Sequence, residues 1–245
     1  MSIEWDEPAI VLEIHPHGEG DALVLLLTAG RGTWRGLVRG GNARGKTALW
    51  QPGNLVAARW GARLPEQLGH FTAEMVHPAA ALAMDDRLNL AVLNAACALA
   101  AGSLAEREPA PEVFAGLARL LAGINIAQIA LPTLVAWELD LLRELGFGLD
   151  FSARAIAGDN DKLAYVSPKS GRALSLSAAG EWAPRLLKLP GFLLDSAVAT
   201  EADCLDGLKL TGHFLARDVF GSRHKPLPPA RERLYDLLLE RLEDE

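Results

Sequence analysis

Apolar and polar positions alternate over short runs in roughly the first eighty residues and then give way to a longer period. Segments 9–15, 22–28, 33–39, 55–60 and 69–76 are partly β-branched or aromatic, separated by HGEGD, AGRG, GGNARGK, QPGN and RLPEQ. Period-two patterning broken by Gly, Pro and Asn predicts strands joined by turns. Five strands in so short a stretch predict a small closed barrel, and the five-stranded OB-fold is such a barrel with a nucleic-acid-binding face. The spacing also fits an SH3-like barrel.

Beyond Pro78 the pattern becomes helical over 87–101, 111–122 and 129–145. In the last of these, Leu134, Trp137, Leu141, Leu142 and Leu145 recur at three- and four-residue intervals, as on one buried helix face, and Gly146 then stops the helix. Residues 150–177 read as irregular with a β-like piece at 163–166, and helices are expected again near 181–187, 202–219 and 229–242. The fold class is α+β: an OB-fold barrel over 1–80, then a mostly helical domain over 81–245.

One motif invites an enzymatic reading. GGNARGKT, residues 40–47, matches the phosphate-cradling pattern of a P-loop. That loop needs a buried parallel strand before it and a helix after it, whose N-terminal amides hold the phosphates. Here the preceding TWRGLVR alternates like a half-exposed antiparallel strand, and only ALWQ separates the motif from Pro52 and Gly53. A Gly- and Arg-rich loop between two strands is the better reading, and a P-loop hydrolase ranks low.

Charge gives that loop a different meaning. The chain carries a formal net charge of −7, yet no acid lies between Asp21 and Glu66, a window that holds Arg31, Arg35, Arg39, Arg44, Lys46, Arg59 and Arg63. Taking those seven from the 24 lysines and arginines leaves 17 against 31 acids, a net of −14 for the remainder. Strand periodicity puts Arg35 and Arg39 on one face, with Trp34, Gly36 and Val38 turned inward, and sets Arg59 opposite Trp60. These cations, with Arg44 and Lys46 at the loop tip, are the expected groove for a nucleic-acid backbone. Trp50, beside the tip, is the expected base-stacking residue.

Other chemistry is thinly represented. The two cysteines, Cys97 and Cys204, suit a reducing compartment and cannot supply a four-ligand zinc site alone. His15 and His17 flank a proline in a turn, the remaining histidines are scattered, and SPKSG reads as a turn, so no catalytic site is expected. The longest early apolar run, 22–27, is far short of a membrane span, and a cytoplasmic protein is expected.

The run GEGDALVLLLTAGRGTWRGLVRGG with LWQPGNLVAARW resembles the N-terminal OB-fold of the bacterial recombination mediator family RecO. LPTLVAWELDLLRELGFGLDFSA, LAYVSPKSGRALS and FLARDVFGSRHKPLPPARERL resemble successive parts of that family's second domain. The resemblance implies a nonenzymatic protein that binds single- and double-stranded DNA, anneals complementary strands, and works with RecR, RecF and single-stranded DNA-binding protein to load RecA. It also implies an acidic C-terminal tail of the single-stranded DNA-binding protein docking on the helical domain, where Arg217, Arg223, Lys225, Arg231 and Arg233 cluster. Many members hold zinc with two cysteine pairs after the LGF helix; this chain has no cysteine there, so no structural zinc is expected. An RNA-binding OB module and a pure adaptor remain the alternative functions.

Overall fold

Ile3 to His17 form a single strand whose length sets up the barrel. In the computed structural model, which describes residues 3–41, 43, 47–64, 67–126, 128–152, 162–194 and 198–244, β1 (Ile3–His17) serves two neighbours. Its first half pairs antiparallel with β4 (Leu55–Ala62) and its second with β2 (Asp21–Thr28), and a bulge between Val11 and Glu13 bends it from one to the other. With β3 (Gly32–Val38) and β5 (His70–His77), the strands close into a barrel in the order β1-β2-β3-β5-β4. This is the OB-fold rather than the SH3-like alternative. All five expected strands are present, and β1 begins six residues earlier than 9 because the polar-looking IEWDEP also pairs.

Trp5, Trp50, Trp60 and Phe71 are buried inside the barrel, with Trp34 packed partly buried against them. Trp5 stacks on Trp60 at 6.1 Å, and Trp34 meets Trp60 edge-on at 5.3 Å, both favourable aromatic geometries. Gly36 faces inward as the alternation predicts, and any Cβ there would lie 2.5 Å from the Phe71 ring. β3 and β5 meet in parallel at the single register pair Leu37↔His70, where the Leu37 amide donates to the Gly69 carbonyl at 3.0 Å.

β2 is apolar on both faces for a reason. Ala22, Val24 and Leu26 fill the barrel, while Leu25 and Leu27 are buried on the other side, and α3 (Pro111–Ala122) packs against β2. α1 (Ala79–Ala83) leads into α2 (Arg87–Ser103), which packs on β1 and whose Cys97 thiol points at the Val11 carbonyl. Asp86 caps α2 by accepting from the Asn89 amide at 2.8 Å. The barrel therefore ends near residue 80, but the compact unit containing it runs on through these helices to Ala130.

The second unit covers 131–245. α4 (Ala130–Glu144) buries Leu134, Val135, Trp137, Leu141 and Leu142, and Gly146, at φ +86°, ends it while Phe147 N–H reaches the Leu142 carbonyl at 2.8 Å. β6 (Leu163–Val166), β7 (Ala173–Ser175) and β8 (Leu187–Lys188) form a small sheet in the order β7-β6-β8, more regular than the sequence suggests. After the one-turn α5 (Leu176–Ala179), the expected helix near 181–187 is only a 3-10 turn over Gly180–Arg185, because Pro184 lies within it. α6 (Glu201–Phe214) opens on a Thr200–Asp203 capping box and runs into a π-helical turn, Leu215–Phe220, before α7 (Pro229–Glu243).

Candidate nucleic-acid interface

The acid-free window of sequence does not become an acid-free face. β1 runs beside β4 with Asp6 directly opposite Arg59, and the Arg59 Nε donates to the Asp6 carboxylate at 2.8 Å. The hydrogen bond from Arg59 holds the Asp6 carboxyl below its ordinary value. Asp6, Glu7 and Glu74 line a concavity of about 530 Å³ around Arg59, and three carboxylates to one guanidinium repel phosphate there. Arg31 likewise pairs with Glu7 at 2.7 Å while lying over the Trp5 ring. Arg31 and Arg59 are thus partnered by acids that stand far away in sequence.

Arg35 is taken up in another way. The segment between α2 and α3 crosses β3: Arg107 N–H donates to the Thr33 carbonyl at 2.9 Å, and the Thr33 hydroxyl donates to the Ala105 carbonyl at 3.0 Å. That crossing brings the Glu106 carboxylate to 2.6 Å from Arg35 and lays the Arg107 guanidinium 4.5 Å over Trp34. A carboxylate on the arginine and a planar cation on the ring occupy the positions that a phosphate and a base would seek. Arg35 and Trp34 are therefore both engaged by the same crossing segment.

A third cationic grouping lies at the seam of β3 and β5. Arg39, Arg63 and His70 converge with Leu37, Gln67 and Leu68 on a trough of about 510 Å³, and no carboxylate is among its described lining residues. Trp60 fixes one rim, its indole N–H donating to the Leu68 carbonyl at 3.1 Å. Where the GGNARGKT sequence begins, the Gly40 amide donates to Asp21 at 2.8 Å. Thr47 to Trp50 then form a turn instead of a helix, so the P-loop reading lacks its helix.

Arg39 and His70 also border a second, more apolar cavity of about 390 Å³, walled by Val38, Leu49, Trp50, Phe71, Thr72 and Ala73. Trp50 was expected to be a free stacking platform; it is only 2% exposed and belongs to the barrel core. Asn54 folds its loop inward, donating to the Ala48 and Leu49 carbonyls at 2.8 and 3.2 Å and accepting from the Ala80 amide at 3.1 Å. Of the eight expected residues, Arg39 and Arg63 therefore share the trough, Arg31, Arg35 and Arg59 do not, Trp50 is core, and Arg44 and Lys46 lie outside the described residues. His70 was passed over as one of several scattered histidines, although it opens β5 where that strand meets β3.

In the second unit the expected cationic cluster also changes. Arg231 is buried at 2% exposure, its Nη2 donating to Glu138 at 3.0 Å and to the Leu208 carbonyl at 2.7 Å, and Thr211 donates to the same carboxylate. Arg217 pairs with Asp218 at 2.7 Å and donates to the Pro168 carbonyl. Arg223, Lys225 and Arg233 stay on the surface. Among the described residues no cluster of His, Cys, Asp and Glu could hold a metal ion, and no helix is long and apolar enough to cross a membrane.

A closed barrel of OB topology bearing a cationic trough, followed by a mainly helical unit, defines a two-unit OB-fold protein. The family models "Recombination protein O N terminal" and "Recombination protein O C terminal" match residues 1–79 and 84–228. The chain belongs to the recombination protein O family, whose members act in DNA repair and recombination. It is 59% identical to the DNA repair protein RecO of Acidiphilium cryptum over 98% of this chain and 97% of that one. It is 52% identical to that of Granulibacter bethesdensis, over 99% and 98% of the two chains, and 44% identical to that of Rhodospirillum rubrum, over 96% of each.

Proposed function

We propose that the barrel binds single- and double-stranded DNA along the β3–β5 trough, through Arg39, Arg63 and His70 together with Arg44 and Lys46 of the sequence that follows β3. The observation that carries this is the meeting of three cationic or protonatable side chains in one concavity whose described lining lacks a carboxylate. Neutralising phosphates from two strands in turn lowers their mutual repulsion, which is the physical requirement for annealing. Counterion release supplies most of the affinity, independent of sequence. In cells the protein is a cytoplasmic, nonenzymatic mediator that works with RecR and RecF to load RecA onto strands coated by single-stranded DNA-binding protein. The acidic tail of that coating protein is matched by the exposed Arg223, Lys225 and Arg233. No zinc takes part, since the segment that holds it in many relatives has no cysteine here.

Charge reversal of Arg39 and Arg63 together tests the binding reading. The variant is expected to keep its fold by circular dichroism and to lose both DNA binding and annealing of complementary oligonucleotides. Reversal of Arg59 is expected to leave both intact. The opposite pattern would move the interface to the β1–β4 face and end the proposal.

A further inference from the structure

The apolar cavity beside the trough has a structural cause. β3 and β5 pair only at Leu37↔His70, so beyond that point the two strands part. The Asn54-anchored turn supplies Leu49 and Trp50 as one wall of the gap, and Phe71 and Ala73 of β5 supply the other. Arg39 and His70 stand at the mouth and line the cationic trough as well, so the two concavities share an edge. An apolar chamber opening onto a cationic edge has the chemistry that complements a nucleotide unit: a flat apolar base attached to an anionic backbone.

We propose that this cavity takes one unstacked nucleobase of a single strand while the neighbouring phosphate lies on Arg39, giving the barrel a contact that paired DNA cannot make. A base within a duplex is stacked on both faces and must be unpaired and swung out before it reaches such a chamber. The trough binds both forms of DNA through their phosphates, and the cavity adds affinity for the unpaired form alone. The proposal rests on the DNA-binding reading above and goes further by locating where a single strand is told from a duplex.

The test uses the full chain and three probes of equal length at one salt concentration: oligo-dT, an abasic oligonucleotide and a duplex. The unaltered protein is expected to bind oligo-dT about tenfold more tightly than the abasic strand, within the range for one buried base. Ala73→Leu, which narrows the cavity, is expected to erase that preference and leave abasic and duplex binding unchanged. Leu49→Gln, on the opposite wall, is expected to act in the same direction, so a folding defect in one variant does not decide the matter. Equal binding of oligo-dT and the abasic strand by the unaltered protein overturns the base site, as does a preference that survives both substitutions. If instead no probe responds to reversal of Arg39 and Arg63, the DNA-binding surface itself has been misplaced.

Discussion

Asn54 shows how one buried amide shapes the candidate interface. Its side chain satisfies two carbonyls of the 48–49 turn and the amide that begins α1, and its own carbonyl receives the Val11 amide at 3.0 Å. Replacing it with Ala leaves buried polar groups unpaired, and a loss of about 1–3 kcal/mol is expected in denaturant unfolding. Trp50 is held by the same turn. Trp50→Ala is expected to lower stability by about 3–5 kcal/mol through the space it empties in the core, and, because Trp50 also walls the apolar cavity, to weaken single-strand binding more than duplex binding. Sequence periodicity could not place Trp50, because a residue in a turn belongs to no strand alternation and its burial depends on Asn54 bonding across the turn. The two cysteines are inert by the same logic of burial, which pushes both thiols up to about 12. A thiol reagent at pH 8 is expected to label neither until the protein unfolds; rapid labelling of the native protein would contradict their placement.

At the level of elements, strands and helices were legible wherever the apolar period was strong. The alternation in β4 and the 3.6-residue stripe of α4 correspond to what the fold contains, because in both cases the pattern is the burial pattern, while β2 reads as a continuous apolar run because both its faces are covered. Pairing across the sheet was not legible. Nothing local to Arg59 says that Asp6 will stand opposite it, and nothing local to Arg35 announces Glu106. Since exposed pairs of this kind are weak, Glu106→Gln is expected to free Arg35 and raise DNA affinity at low salt by up to roughly fivefold, with no loss of fold. The buried Glu138–Arg231 contact, which also engages Thr211, joins α4, α6 and α7 and obeys different rules. Arg231→Ala alone is expected to cost about 3–5 kcal/mol by stranding the Glu138 charge, and exchanging both partners for well-packed apolar residues restores much of it. Thermal unfolding of the single and double variants checks this.

Over the whole molecule, the net charge of −7 conceals a local excess of cations, and the useful excess is smaller than a count along the sequence suggests. Seven basic residues fall in the acid-free window, but β1 and the Glu106 segment return carboxylates to three of them. The trough at the barrel seam brings Arg39 and Arg63 into one concavity with no carboxylate among its described lining residues, and Arg44 and Lys46 follow β3 in the sequence. The central claim is that these four cations, and not the whole basic window, set the electrostatic affinity for DNA. Its most direct test is the salt dependence of single-strand binding, measured for the unaltered protein and for the Arg39→Glu, Arg63→Glu variant. Four neutralised phosphates predict a slope of log affinity against log salt near roughly −3, falling close to zero in the variant. A slope that the two reversals leave unchanged would contradict the account, because it would mean that cations other than Arg39 and Arg63 carry the binding.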